Sequence, residues 1–184
     1  MYKHIGIIFI LISGGLAAQE IPDYRGEYIF TNSRGSMGGI RELITHKEEG
    51  KRTIQFNAKF PLGRLKIISN FLDQDNHITS SKYSVDVKWT LISDKRTLDF
   101  NQTEGILTSK GKFKWTQDLL KSENIFDPLN AQIQIRKNII GGLKKFSLML
   151  PDLKTGAIEA NNYQVIGDGS FEVDGINYSC IIVE

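Results

Sequence analysis

The 184-residue chain has one cysteine, four prolines and three histidines. With Cys180 alone, no internal disulfide can form, so the fold must be held by its core. A single thiol between Ser179 and Ile181 in an apolar run reads as a small buried side chain, not a nucleophile. His46 and His77 stand beside turn signals in polar company, and no His-x-x-x-His or Cys/His cluster is present to hold zinc. No serine lies in a Gly-x-Ser-x-Gly elbow, and no glycine pair leads into Gly-Lys-Ser/Thr. Asp73, Asp75 and Asn76 lack the glycine and distal glutamate of a calcium loop and read as a polar turn. Neither a catalytic constellation nor a cofactor is therefore expected. Charge is close to balanced, with 23 basic and 21 acidic residues and a net charge of +2. No dense Lys/Arg patch stands out, which argues against nucleic acid as a partner.

Long apolar runs are also scarce. The N-terminus holds the most apolar one, Ile5 to Ile12, behind Lys3 and His4. It is too short to span a bilayer comfortably. Gly15 and Ala17 place small residues three and one positions before a cut, so residues 1–17 read as a secretory signal cleaved after Ala17. Nothing later is apolar enough to cross a membrane, and no stable span is expected after cleavage. The expected location is outside the cytoplasm: periplasmic in a Gram-negative bacterium, secreted otherwise. Residues 18–184 are expected to form a single exported domain.

What the chain does have is a period of two. Tyr24, Gly26, Tyr28 and Phe30 alternate with Arg25 and Glu27. So do Ile54, Phe56, Ala58 and Phe60, then Tyr83, Val85, Val87 and Trp89, then Phe146, Leu148 and Leu150. Each run predicts a strand with one buried and one wet face, which favours antiparallel pairing. Turns are predicted at Ser33-Arg34-Gly35, Glu48 to Lys51, Asp73 to Asn76, Ser93 to Lys95, Lys110 to Lys112, Gly167 to Gly169 and Asp174-Gly175. Gly38-Gly39 reads as a bulge in an early strand.

One segment breaks the pattern. Asp127-Pro128 suits a helix start and Gly141-Gly142 a helix stop. Between them Leu129, Ile133, Ile135, Ile139 and Ile140 share one broad helical face, although Ala131, Ile133 and Ile135 would also alternate in a strand. The expected fold is mainly β with one amphipathic helix: a curved antiparallel sheet, or an open barrel-like one, packing that helix.

This layout resembles a known family. Tyr24-Arg25-Gly26-Glu27-Tyr28 with Gly38-Gly39-Ile40-Arg41-Glu42 looks like the opening hairpin of the exported family called domain of unknown function 3108. Phe126 to Ile140, with Asp127, Leu129, Gln132 and Arg136, looks like its single helix. Tyr163 to Gly167 and Phe171 to Gly175 resemble its late strands. The resemblance implies an exported envelope protein and carries no established activity or catalytic residues. It also implies a further strand or hairpin after the apolar run that ends at Glu184. The domain is therefore expected to close differently or to lack its last strand, and the edge left bare is expected to self-associate.

Gln132 and Arg136 lie one helical turn apart. They could offer donors to a carboxylate or phosphate at a cavity mouth, or simply satisfy groups where helix meets sheet. Trp89 and Trp115 read as core or rim residues. Three functions follow. The first is a non-catalytic binding or scaffold domain for another envelope component. An alternative is a carrier of an apolar molecule, such as a lipid or acyl chain, in a cavity lined by Ile133, Phe56 and Trp89. The third is a hydrolase of cell-wall polymers, which needs convergent carboxylates in a cleft.

Overall fold

A computed structural model describes residues 21–184 except 33–34, 47, 49, 75–76, 91, 120–123 and 174. The expected leader with its cut at Ala17 lies outside the described residues, as do Ser33, Arg34, Glu49, Asp75, Asn76 and Asp174 of the predicted turns.

The fold is mainly β. Eight strands form one antiparallel meander: β1 (Tyr24–Asn32), β2 (Gly35–Thr45), β3 (Lys51–Phe60), β4 (Gly63–Gln74), β5 (His77–Trp89), β6 (Ile92–Asn101), β7 (Ile106–Gly111) and β8 (Trp115–Asp118). Each pairs with its sequence neighbour, and the sheet is not closed into a barrel. The one helix among the described residues, α1 (Asn130–Ile140), follows. A second antiparallel sheet of three strands has the order β11-β10-β9, from β9 (Lys145–Pro151), β10 (Ile158–Val173) and β11 (Ile176–Val183).

The period of two selects the buried face. Ile54, Phe56 and Ala58 of β3 are buried between half-exposed neighbours. Leu43, Phe71, Ile78, Tyr83, Leu98, Phe100 and Leu107 continue this layer across the sheet. Against it pack Leu129, Ala131, Ile133 and Ile135 of the helical segment, with Ile125, Phe126 and Leu148. Buried positions fall on more than one side of α1, because β4, β5 and β9 all contact it.

Both helix ends use the residues that predicted them. Asp127 Oδ1 accepts the N–H groups of Leu129 and Asn130 at 2.9 and 3.0 Å, and the Asp127 carbonyl accepts that of Ala131 at 3.0 Å. This satisfies donors that a helix start leaves unpaired. At the other end Gly142 takes φ +85°, its N–H reaches the Ile139 carbonyl, and Leu143 N–H reaches the Asn138 carbonyl. That is the Schellman arrangement, and it needs a residue free to adopt positive φ.

Three turn expectations and one bulge are corrected. Asp73 lies inside β4, opposite Ile78, and the strand pairing continues to Gln74 opposite His77. Ser93, Asp94 and Lys95 lie inside β6, because the chain reverses earlier, between Trp89 and Ile92. Gly167 to Gly169 make no turn: β10 runs through them, with a register irregularity between Val165 and Gly167. Gly38-Gly39 make no bulge, since β2 keeps unbroken register on both sides. Gly39 instead gives room to Phe56, whose ring would lie 2.5 Å from a Cβ there.

Candidate binding surfaces

Gln132 and Arg136 do come to the junction of helix and sheet, but they are already engaged there. Gln132 Oε1 accepts from Arg41 Nη1 at 2.6 Å, and Gln132 Nε2 donates to the Pro128 carbonyl at 3.0 Å. The Arg41 guanidinium lies 5.0 Å from the Tyr28 ring centroid and 6.0 Å from that of Phe56. The Arg136 guanidinium lies 5.4 Å from the Tyr24 ring centroid. Burial pushes the Arg136 pKa down, partly offset by Tyr24 and Tyr28, and pushes the Tyr24 hydroxyl up, partly offset by Arg41. Two cations seated on aromatic faces lock α1 to β1 and β2. Gln132, with its amide oxygen and nitrogen both bonded, is not a donor-rich patch awaiting a ligand.

Among the described residues, Phe56, Ile133 and Trp89 sit in different surroundings. Ile133 is fully buried in the core and Phe56 packs on Gly39 and Arg41. Trp89 is 52% exposed at the far end of β5. Trp115 instead packs against Gly156 and donates its indole N–H to the Leu153 carbonyl at 3.3 Å. Two open grooves are described, and none of the three residues lines either. One, about 540 Å³, runs along β9 and β10 past Phe146, Tyr163 and Glu184. The other, about 340 Å³, is bordered by His77, Asn124, Gln134 and Asn138 over Phe126 and Met149.

Beneath the helix lie polar groups that sequence reading missed. Asp73, read as a turn residue, is buried between two cations: Arg52 Nη1 bonds its Oδ2 at 3.0 Å, and Lys137 Nζ pairs with its Oδ1. Arg52 also donates to the Ile21 carbonyl at 2.6 Å and to Asp23 Oδ1 at 3.1 Å. Burial raises the Asp23 pKa, but the Thr45 N–H and hydroxyl and the Arg52 guanidinium outweigh it, holding this carboxyl below its ordinary value. The cluster ties β3, β4 and α1 to the chain entering β1.

A second buried network surrounds Asp127. Ser69 Oγ donates to Asp127 Oδ2 at 2.6 Å, Asn130 Nδ2 to Ser80 Oγ at 2.9 Å, and Ser80 Oγ to the Ile125 carbonyl at 2.8 Å. Burial raises the Asp127 pKa to about 6, against the lowering effect of Ser69 and the two helix N–H groups. A carboxyl raised in the fold contributes stability below its unfolded value, near 3.8, and loses it as pH rises through about 6. The expected loss between pH 4 and pH 7 is about 2 kcal/mol. Asp127→Asn should flatten this segment of the profile, read as urea midpoints at each pH. An unchanged slope in the variant would assign the dependence to other groups.

Another uncovered apolar surface belongs to the second sheet. β9 pairs with Ile158–Gln164 of β10 and makes one parallel bridge, from Met149 to Ile125, whereas β11 pairs with Val165–Val173 of β10. Beyond Val165 the chain is a two-stranded hairpin, and among the described residues neither of its outer edges is paired. The partners Val173/Ile176, Phe171/Tyr178, Gly169/Cys180 and Gly167/Ile182 share one face, with Glu172/Asn177 and Ser170/Ser179 on the other. Phe171, Val173, Ile176 and Ile182 are 43–56% exposed. Cys180, expected in a buried strand, is half-buried on this arm.

Among the described residues no group of three His, Cys, Asp or Glu could hold a metal ion, and no helix is long and apolar enough to cross a membrane. Comparison with known family models, curated proteins and solved structures finds no match.

Proposed function

We propose that this is an exported, non-catalytic binding or scaffold protein of the cell envelope, and that its β10–β11 arm is the surface that engages its partner. The observation that carries this reading is the arm's apolar face: a two-stranded hairpin is marginal in water unless something covers it, and a contiguous exposed apolar patch marks an interaction site. The free edges add backbone donors and acceptors for an incoming strand, as in β-augmentation. The family resemblance and the apolar leader support export. The carrier reading has less support, because its expected lining residues are dispersed between core, helix junction and strand tip.

A photo-crosslinking amino acid placed at Phe171 or Ile176, in cells of the source organism, should give a discrete crosslinked product, whereas Ser170 and Glu172 should not. A product of twice the monomer mass identifies a second copy as the partner; any other mass identifies a different protein. Equal crosslinking from both faces, or none, would remove the arm as the docking surface.

A further inference from the structure

The antiparallel meander gathers the connections that join β3 to β4, β5 to β6 and β7 to β8 at one end of the first sheet. Two of these turns are fastened together. Thr90 N–H donates to the Leu62 carbonyl at 2.9 Å, Trp89 stands opposite Gly63, and the Phe60 and Trp89 rings sit 5.3 Å apart. The approach is close: a Cβ at Gly63 would lie 2.2 Å from the Lys88 carbonyl oxygen. Thr90, at φ 44°, is the one non-glycine with positive φ among the described residues, a conformation that costs energy and is held by its surroundings. The result is a fixed apolar tip that remains in water, with Leu62 61% and Trp89 52% exposed.

Charge around this tip has one sign. Within two residues of the turns at 61–62, 90–91 and 112–114 stand Lys59, Arg64, Lys88, Lys110, Lys112 and Lys114, and no carboxylate. Arg64, Lys110 and Lys112 reach Asp86, Asp99 and Asp94 farther down the strands; Lys59, Lys88 and Lys114 form no ion pair among the described residues. The turns at the opposite end are less basic: Glu48, Glu49, Asp75 and Glu104 stand there with Lys47 and Lys51, while Asp73 is buried against Arg52 and Lys137.

We propose that this end of the sheet docks on an anionic lipid surface. A protruding indole and a leucine fit the headgroup boundary, where tryptophan concentrates. Lysine and arginine set back by one or two residues lie level with lipid phosphates, and their stems follow the apolar surface while their charges stay in water. The Thr90–Leu62 bond satisfies backbone groups that would otherwise go unpaired on entry. The separation of charge along the strands turns the basic end toward a negative surface before contact.

Co-sedimentation with phosphatidylcholine vesicles, with and without phosphatidylglycerol, tests this. Binding is expected to the anionic vesicles only, and to weaken with salt. Lys59→Ala with Lys88→Ala should weaken it roughly 30-fold, taking about tenfold per 1.4 kcal/mol and about 1 kcal/mol per cation. Leu62→Ser and Trp89→Ser should each weaken it roughly tenfold, with unchanged circular dichroism and melting as proof of folding. Four outcomes overturn the proposal: no vesicle binding, equal binding to neutral and anionic vesicles, binding indifferent to the tip and lysine variants, and capture by an acidic protein with no affinity for either vesicle.

Discussion

Asp73→Ala is expected to lower the unfolding free energy by about 3–5 kcal/mol, the usual cost of removing one partner from a buried ion pair. The carboxylate is the shared counter-charge of Arg52 and Lys137, and all three side chains are at most 5% exposed. Without it, two cations stay buried with too few acceptors. Arg52 keeps the Ile21 carbonyl and Asp23, whereas Lys137 pairs with no other carboxylate among the described residues. Urea denaturation of the variant and the parent measures the loss. A variant within 1 kcal/mol of the parent would mean that the cluster adds little beyond the packing around it.

Ile133→Ala should cost about 2–5 kcal/mol, the range for deleting a fully buried aliphatic side chain. Ile133 sits mid-helix where α1 meets the inner face of the first sheet. The cavity would be walled by sheet on one side and helix backbone on the other, which limits collapse and favours the upper part of the range. The same denaturation series reads it. Asp73 and Ile133 anchor the helix to the sheet by unlike means, so their double variant need not be additive if the helix loosens as a unit.

The alternation of Ile54, Phe56 and Ala58 against Thr53, Gln55 and Asn57 was enough to read strands and their buried face, because a pleated strand sends successive side chains to opposite sides. The single helix was legible from its ends, Asp127 and Gly142, which make local bonds that sequence neighbours alone decide. Features set by distant partners were not legible. Asp73 reads as a turn residue until Arg52 and Lys137, 21 and 64 positions away, are brought against it. Gln132 reads as free until Arg41, 91 positions away, takes its oxygen. The glycines at 38–39 and 167–169 carry a backbone signal that suits a turn, a bulge or a close approach equally. Only the Phe56 ring beside Gly39, and the shift near Gly167, separate these. Alternation likewise cannot tell the core strand β3 from the arm strand β11, since both carry one apolar face and differ only in what covers it.

Amide hydrogen exchange on the purified protein, at low and high concentration, reads that difference in covering directly. An uncovered arm on a firmly packed body predicts fast exchange along Ile176–Val183 and slow exchange along β4 and α1, the arm slowing only when a partner or second copy is supplied. Protection of Ile176–Val183 equal to that of β4 in the dilute protein would mean that the arm is already covered, leaving the proposed docking surface without a basis.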